Sequence, residues 1–378
     1  MSRGNLQRRT LVAAILSAVT LASLHGATAA GAQTAPAQAP EHVSVVGGIE
    51  IETARFIAAS LTDPVLRDRL RTAALSAKQV DVRALADRTT TARGKALASK
   101  LADADSRVAV AKGLDSHVGS LLHLRLGSDS MRPALTSGVE PLVAATSSDD
   151  DGVAVTAYDS HGNAHTLDTR QAPSQPVYVV DLDEAKTVSA GLNVVRNLLT
   201  QHGLNKAVAA PQSASGGWWA TKVDAVYLND DEEPWIKGDA EIFSLVTGFG
   251  LDGKVRVDTV DMPYLNNDHT TYYPNQILVN WSNYKYNLAD VVMMEDDGDT
   301  NYQALAQALI TALLTITDQG TYIPLVAPIL DAIPDSWWTD DPDYVDSWYT
   351  LARSSNGRLN GASGNGWMSV SPYFVQEF

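Results

Sequence analysis

The stretch 223–248, VDAVYLNDDEEPWIKGDAEIFSLVTG, constrains this chain more than any other. Runs 223–228 and 242–246 alternate with period two and are rich in Val, Ile, Tyr and Phe, the pattern of β-strands. Between them lie Asn229, Asp230, Asp231, Glu232 and Glu233, then Pro234, Trp235, Gly238, Asp239 and Glu241. Proline, glycine and aspartate clustered between two strands predict a turn, and so a hairpin carrying an acidic loop.

The same stretch lies just past a break in composition. Residues 217–378 hold 24 Asp/Glu against 7 Lys/Arg, whereas residues 1–216 hold 20 against 21. All 8 Trp and 11 of the 13 Tyr also fall after the break. A joint change in charge and aromatic content at the flexible SASGG of 213–217 predicts a boundary between a part at 50–212 and a part at 217–378. The acidic excess argues against nucleic acid and anionic membranes, which need basic clusters. With no cysteine, disulfides and thiol chemistry are excluded.

Residues 1–32 read as an export signal: Arg3, Arg8 and Arg9 precede an apolar run at 11–24, and alanines follow at cleavage spacing. The Arg8-Arg9 pair leaves open either the Sec or the twin-arginine route. After cleavage nothing anchors the product to a membrane, so it is expected to be secreted. Residues 33–49 read as a disordered tether.

From residue 50 to 126 the pattern is helical. Ile51, Ala54, Ile57, Ala58 and Leu61 share one face, and Asp63 with Pro64 starts a second helix. At 142–145, 153–158, 165–167 and 177–180 the period becomes two, predicting a small antiparallel sheet. His161 and His165 stand four apart, but Gly162-Asn163 makes a turn between them, which leaves them exposed. Residues 187–203 return to helix. Beyond 217, strands at short spacing predict a β-sandwich. It is interrupted by a helical insertion at 300–333, capped by Asp299 or Thr300 and striped by Leu305, Leu309, Leu313 and Ile316. The expected class is therefore α+β: a helical region and small antiparallel sheet, then a β-sandwich with a helical insertion.

The chemistry expected from these residues is a cation site. Asp230 and Asp231, Asp239 and Glu241, and Glu295, Asp296, Asp297 and Asp299 sit at strand ends or before a helix. So many carboxylates on neighbouring loops repel unless a cation offsets them, and loop-borne oxygen ligands are what calcium takes. A third acidic run occupies 340–346. Asp239 and Glu241 fit three roles: metal ligands first, then buried partners of Lys237 or Arg256, and last a catalytic acid/base pair. Trp235, Trp281, Trp337, Trp338 and Trp367 offer rings for sugar stacking, although most strand tryptophans are core. No metalloprotease, nucleophile-elbow or phosphate-loop signature is present. Two functions follow: a calcium-stabilised extracellular binding or structural module, with a carbohydrate or protein as its ligand, or a secreted hydrolase using an Asp/Glu pair on a glycan or peptide.

The segments LNDDEEPWIKGDAEIFSLV, AYDSHGNAHTLDTRQAPSQPVYVVD and ASLTDPVLRDRL resemble a secreted bacterial family, the domain-of-unknown-function family numbered 3103. The resemblance covers nearly all of the chain from residue 51 on. It implies a secreted protein and brings no activity or catalytic residues.

Overall fold

Short polar side chains set where the helices begin. In a computed structural model, which describes residues 44–146, 153–206, 216–229, 235–237, 240–267, 269–296, 298, 300–333 and 344–376, Ser44 caps the first helix by accepting from the Gly47 amide at 2.9 Å. The helix α1 (Val45–Ser60) thus starts inside the stretch expected to be a tether. Asp63 caps α2 (Pro64–Ser76) through the Val65 and Leu66 amides, with Pro64 at the first position as the sequence predicts. The signal segment 1–32 lies outside the described residues.

The first half continues with β1 (Gln79–Val80), α3 (Val82–Asp87), α4 (Ala92–Ala111), β2 (Leu122–Leu126), α5 (Arg132–Thr136), β3 (Leu142–Ala145), β4 (Ala154–Tyr158), β5 (Ala164–Asp168), β6 (Val177–Leu182) and α6 (Glu184–Gln201). The second half comprises β7 (Gly217–Leu228), β8 (Ile242–Phe249), β9 (Val255–Asp261), β10 (Thr271–Tyr272), β11 (Gln276–Asn280), β12 (Leu288–Glu295), α7 (Tyr302–Leu313), α8 (Val326–Leu330), β13 (Tyr344–Ala352), β14 (Gly357–Asn360) and β15 (Gly366–Gln376). Helices and several sheets together make the fold mixed α+β.

The first sheet runs β1-β2-β6-β3-β4-β5, with β3 and β6 parallel and the other pairs antiparallel. It is therefore larger than the four antiparallel strands expected. Two of its strands, β1 and β2, come from the region whose Ala/Leu content masked them as helix. The second half forms two sheets. One has the order β10-β7-β15-β14, with β11 also on β7; the other has the order β13-β12-β8-β9.

The expected hairpin is not formed. β7 and β8 lie in different sheets and do not pair with each other. Alternation identifies a strand but carries no information about its neighbour, so both strands form as expected and their pairing does not. The true hairpin is the next one, β8–β9, closed where the Gly250 amide donates to the Lys254 carbonyl at 2.8 Å.

Every residue of β8 is buried, because its two faces feed two cores. Ile242 and Val246 join Val223 and Val226 of β7, Val291 and Met293 of β12 and Val370 of β15 in a cluster that draws on both second-half sheets. Phe243, Leu245 and Phe249 point the other way. They enter a larger cluster with Leu305 and Leu309 of α7, Val326 of α8 and, from the first half, Leu101, Val108, Leu192 and Val195. At about 1.5–3 kcal/mol per buried side chain of this size, the contribution from each half to that core is large. The composition break at 213–217 consequently does not coincide with a break in the core. A third cluster covers the other face of the first sheet, where Ile236 packs on Met131, Val177 and Val179.

Candidate functional site

The site lies where the ends of four elements meet: the C-terminus of α4, the start of α6, the residue preceding β8, and the end of β12. Helix α4 stops because Gly113 adopts φ +64, a left-handed conformation that closes the last turn, with the Leu114 amide returning to the Ala109 carbonyl at 2.7 Å. The two chain segments then interlock. Asn301 caps α7 by accepting from the Ala304 amide at 2.9 Å and donates its own amide to the Ala111 carbonyl at 2.7 Å. The Tyr302 amide donates to the Lys112 carbonyl at 3.0 Å. The cap is thus Asn301, not Asp299 or Thr300 as expected. Gly191 of α6 faces the Tyr302 ring so closely that no side chain would fit between the helices.

Lys112, fully buried, donates to Asp296 Oδ1 at 2.8 Å and to the Gly298 carbonyl at 2.7 Å. The Tyr302 hydroxyl donates to the other oxygen, Asp296 Oδ2, at 2.6 Å. A buried carboxylate with an ammonium and a phenol on its two oxygens is fully compensated. On the far side, Arg125 of β2 pairs with Asp181 of β6 at 2.9 Å. Its guanidinium also donates to the Ile236 and Trp235 carbonyls at 2.5 and 3.4 Å. Trp235 is fixed there by its indole N–H, which donates to the Asp168 carbonyl at 3.0 Å.

Between these two ion pairs stand Glu184 and Glu241, whose carboxyl groups hydrogen-bond to each other. Glu184 is the first residue of α6, and Glu241 is held by the β8–β12 ladder, where the Asp296 amide donates to its carbonyl at 3.0 Å. Burial pushes Glu241 up to about 9, and the charges of Asp181, Asp296 and Glu295 act in the same direction, although the Glu184 hydrogen bond opposes them. Burial also lifts Glu184 well above the usual range, reinforced by Asp181 and by Glu241. A helix start favours a negative charge by at most ~2 kcal/mol, and here burial and neighbouring carboxylates outweigh it. Two like charges in hydrogen-bond contact cannot both ionise cheaply, so the pair holds a proton between them. Both residues keep some exposed surface, which leaves the pair open to exchange with solvent.

Of the eight residues expected to bind a cation, Glu241, Glu295 and Asp296 are brought together here. Asp230, Asp231, Asp239, Asp297 and Asp299 lie outside the described residues. Among the described residues no three His, Asp or Glu side chains form a ready-made metal cage. Asp296 is occupied by Lys112 and Tyr302. Arg256 pairs with Asp258 at 2.8 Å, not with Glu241. In the third acidic run, Asp346 is a buried structural anion that accepts the Ser347, Ser363 and Gly366 amides at 2.7–2.9 Å. Glu184, Lys112 and Arg125 were missed by the sequence reading. An acidic residue at a helix start is ordinary, and a lysine before a glycine reads as an exposed helix end. Of the five tryptophans offered for sugar stacking, Trp281 is buried and bonds Thr221 at 2.9 Å. Trp367 is sandwiched by Tyr227 and Arg358, and Trp337 and Trp338 lie outside the described residues.

Fold and site define a mixed α+β protein with an acidic junction between its two halves. The chain belongs to the family described as Protein of unknown function (DUF3103), whose profile matches residues 54–378. Comparison with curated proteins and with solved structures found no match.

Proposed function

We propose that the protein is a secreted extracellular module, stabilised by calcium at the Glu184–Glu241 junction, with its two second-half sheets stacked as a β-sandwich. The observation that carries this reading is the contact between the Glu184 and Glu241 carboxyl groups, both held above the usual carboxylate range by burial and neighbouring carboxylates. Of the basic side chains at the junction, Lys112 and Arg125 are engaged by Asp296 and Asp181, and a proton offsets the repulsion within the pair. Calcium takes carboxylate oxygens in flexible geometry and would relieve that repulsion in the proton's place. Glu184 and Glu241 would hold it, with Glu295 beside them. The acidic loops at 230–231, 239 and 297–299 belong to the same proposal as further ligands. Export would use the segment 1–32 by the Sec or twin-arginine route. The partner would be a carbohydrate or protein, not nucleic acid or membrane, in keeping with a net charge of −16.

Because the shared proton must leave, calcium binding should strengthen as pH rises. Thermal unfolding measured with calcium, magnesium and sodium chloride at matched ionic strength tests this. At about ten times the dissociation constant, calcium should add ~1.4 kcal/mol, a rise of about 2 °C for a chain of this size. The rise should be larger at pH 8 than at pH 6 and absent in Glu241→Gln. An equal response to sodium chloride would reduce the effect to screening and end the calcium reading.

The pair's partial exposure favours a second reading, a hydrolase. One carboxyl protonated and one ionised is an arrangement that activates water and protonates a leaving group. Cleavage of a glycan or peptide that disappears in both Glu184→Gln and Glu241→Gln, without any calcium response, would select this reading.

A further inference from the structure

The connection from β9 to β11 builds an open cleft of about 630 Å³ on the rim of the β7 sheet. That volume lies within the range of small-ligand sites. Its walls are the rings of Tyr264, Tyr272 and Tyr273 with Pro263 and Pro274. Tyr264 and Tyr272 are 6.1 Å apart and tilted by 48°, and Tyr273 is 72% exposed.

The polar groups are already positioned. Gln276 is locked from both ends: its carbonyl accepts the Tyr264 hydroxyl at 2.6 Å and its amide donates to the Asp261 carbonyl at 2.8 Å. The Tyr272 hydroxyl donates to Asn266 at 2.9 Å. The Asp261 carboxyl is raised by burial, against one backbone hydrogen bond from Met262, and no basic side chain pairs with it among the described residues. It enters the cleft as an acceptor with spare lone pairs.

Edge protection is the plainer account of this rim. β10 and β11 both pair with β7, and Pro274 with Asn275 (φ +51) breaks the row of edge amides between them. That explains the proline and the break. It does not explain three tyrosines gathered around one cleft, with the most exposed of them open to solvent.

We infer that this cleft binds a neutral saccharide. Flat ring faces match the C–H faces of a pyranose, while the Asp261 carboxyl with its remaining lone pairs and the fixed Gln276 amide match its hydroxyls. The Asp261 carboxylate and the net charge of −16 disfavour an anionic ligand. A proline-rich peptide would use the rings but has no hydroxyls to donate to Asp261. The inference rests on the binding-module part of the proposed function and is independent of calcium.

Titration calorimetry of the purified chain with neutral tetrasaccharides (β-linked glucose, α-linked glucose, β-linked N-acetylglucosamine and β-linked mannose) tests it. At least one should bind saturably. Tyr273→Ala and Gln276→Ala should each weaken binding by about tenfold or more, and Tyr273→Trp should retain it. Tyr273 is mostly exposed, so its alanine variant should keep the wild-type melting temperature and calcium response, which separates lost binding from unfolding. Absence of binding by the whole panel at about 10 mM, a range where even weak millimolar affinities register, would overturn the inference. So would binding indifferent to Tyr273→Ala, or binding of a polyproline peptide in place of the sugars. Saccharide binding with no calcium effect would remove the calcium reading alone.

Discussion

Glu241 and Asp296 sit at adjoining strand ends, linked by a backbone hydrogen bond, yet their carboxyl groups are handled in opposite ways. Asp296 meets a buried ammonium and a phenol, and its charge is matched where it lies. Glu241 meets another glutamate and is kept from repelling it by a proton. A charge answered by a fixed partner is an architectural part, because removing the partner leaves an uncompensated ion. A charge answered by a mobile proton can change state without the fold being rebuilt. The junction thus contains one rigid and one exchangeable electrostatic contact between the same two halves of the chain.

The largest effect should come from breaking the rigid contact. Lys112→Met leaves Asp296 buried without its counter-ion and should cost about 3–5 kcal/mol in urea unfolding. Adding Asp296→Asn should return part of that loss. A Lys112→Met protein as stable as wild type would mean that Asp296 is not held as an ion.

The exchangeable contact is tested by pH. The folded pair keeps a proton that the unfolded chain releases above the ordinary glutamate value of 4.5. Between pH 5 and 9 the native state therefore binds more protons than the unfolded one, and stability must fall as pH rises, by at most ~1.4 kcal/mol per unit for each proton retained. Glu241→Gln supplies an amide hydrogen in place of the proton and should flatten most of that slope. Asp261 and Asp290 are also raised by burial and add the same sign, so the variant, more than the wild-type curve, isolates the pair. Glu52 and Asp318, lowered to about 2 by their basic and hydrogen-bonding partners, contribute stability that is lost only in acid.

The smallest effect concerns what brings the two contacts together. Asn301→Ala removes the α7 cap and the bond to the end of α4, and should cost about 1–2 kcal/mol. If it also weakens the pH slope, the interlock positions the glutamate pair as well as the lysine.

The local rules were legible in the sequence. Asp63-Pro64 and the Leu305–Leu309–Leu313 stripe each depend on a few adjacent residues, and each appears where expected. What lay beyond reach depends on residues distant in sequence. Glu184 gains its meaning from Glu241, and Lys112 from Asp296, whereas each taken singly is an ordinary polar residue at a helix end. The period-two pattern of β7 and β8 holds, but their assignment to two sheets is decided by which faces fill which core. The tyrosine cleft is hidden for a similar reason. Its rings sit in what reads as an irregular connection, whereas the tryptophans stand out in sequence and one of them, Trp281, is core.

The interlock of α4 with α7 also sets a clock. Lys112 and Asp296 are separated by 184 positions. At synthesis rates of about 5–20 residues per second, roughly 10–40 s pass between the appearance of the lysine and that of its counter-ion. Throughout that interval the apolar faces of α4 and α6 lack the α7 side of their core, and Lys112 has no reason to leave water. The first half of this chain must therefore spend its early life incompletely packed, so that its final consolidation waits on contacts of long sequence separation, the kind that fold slowly.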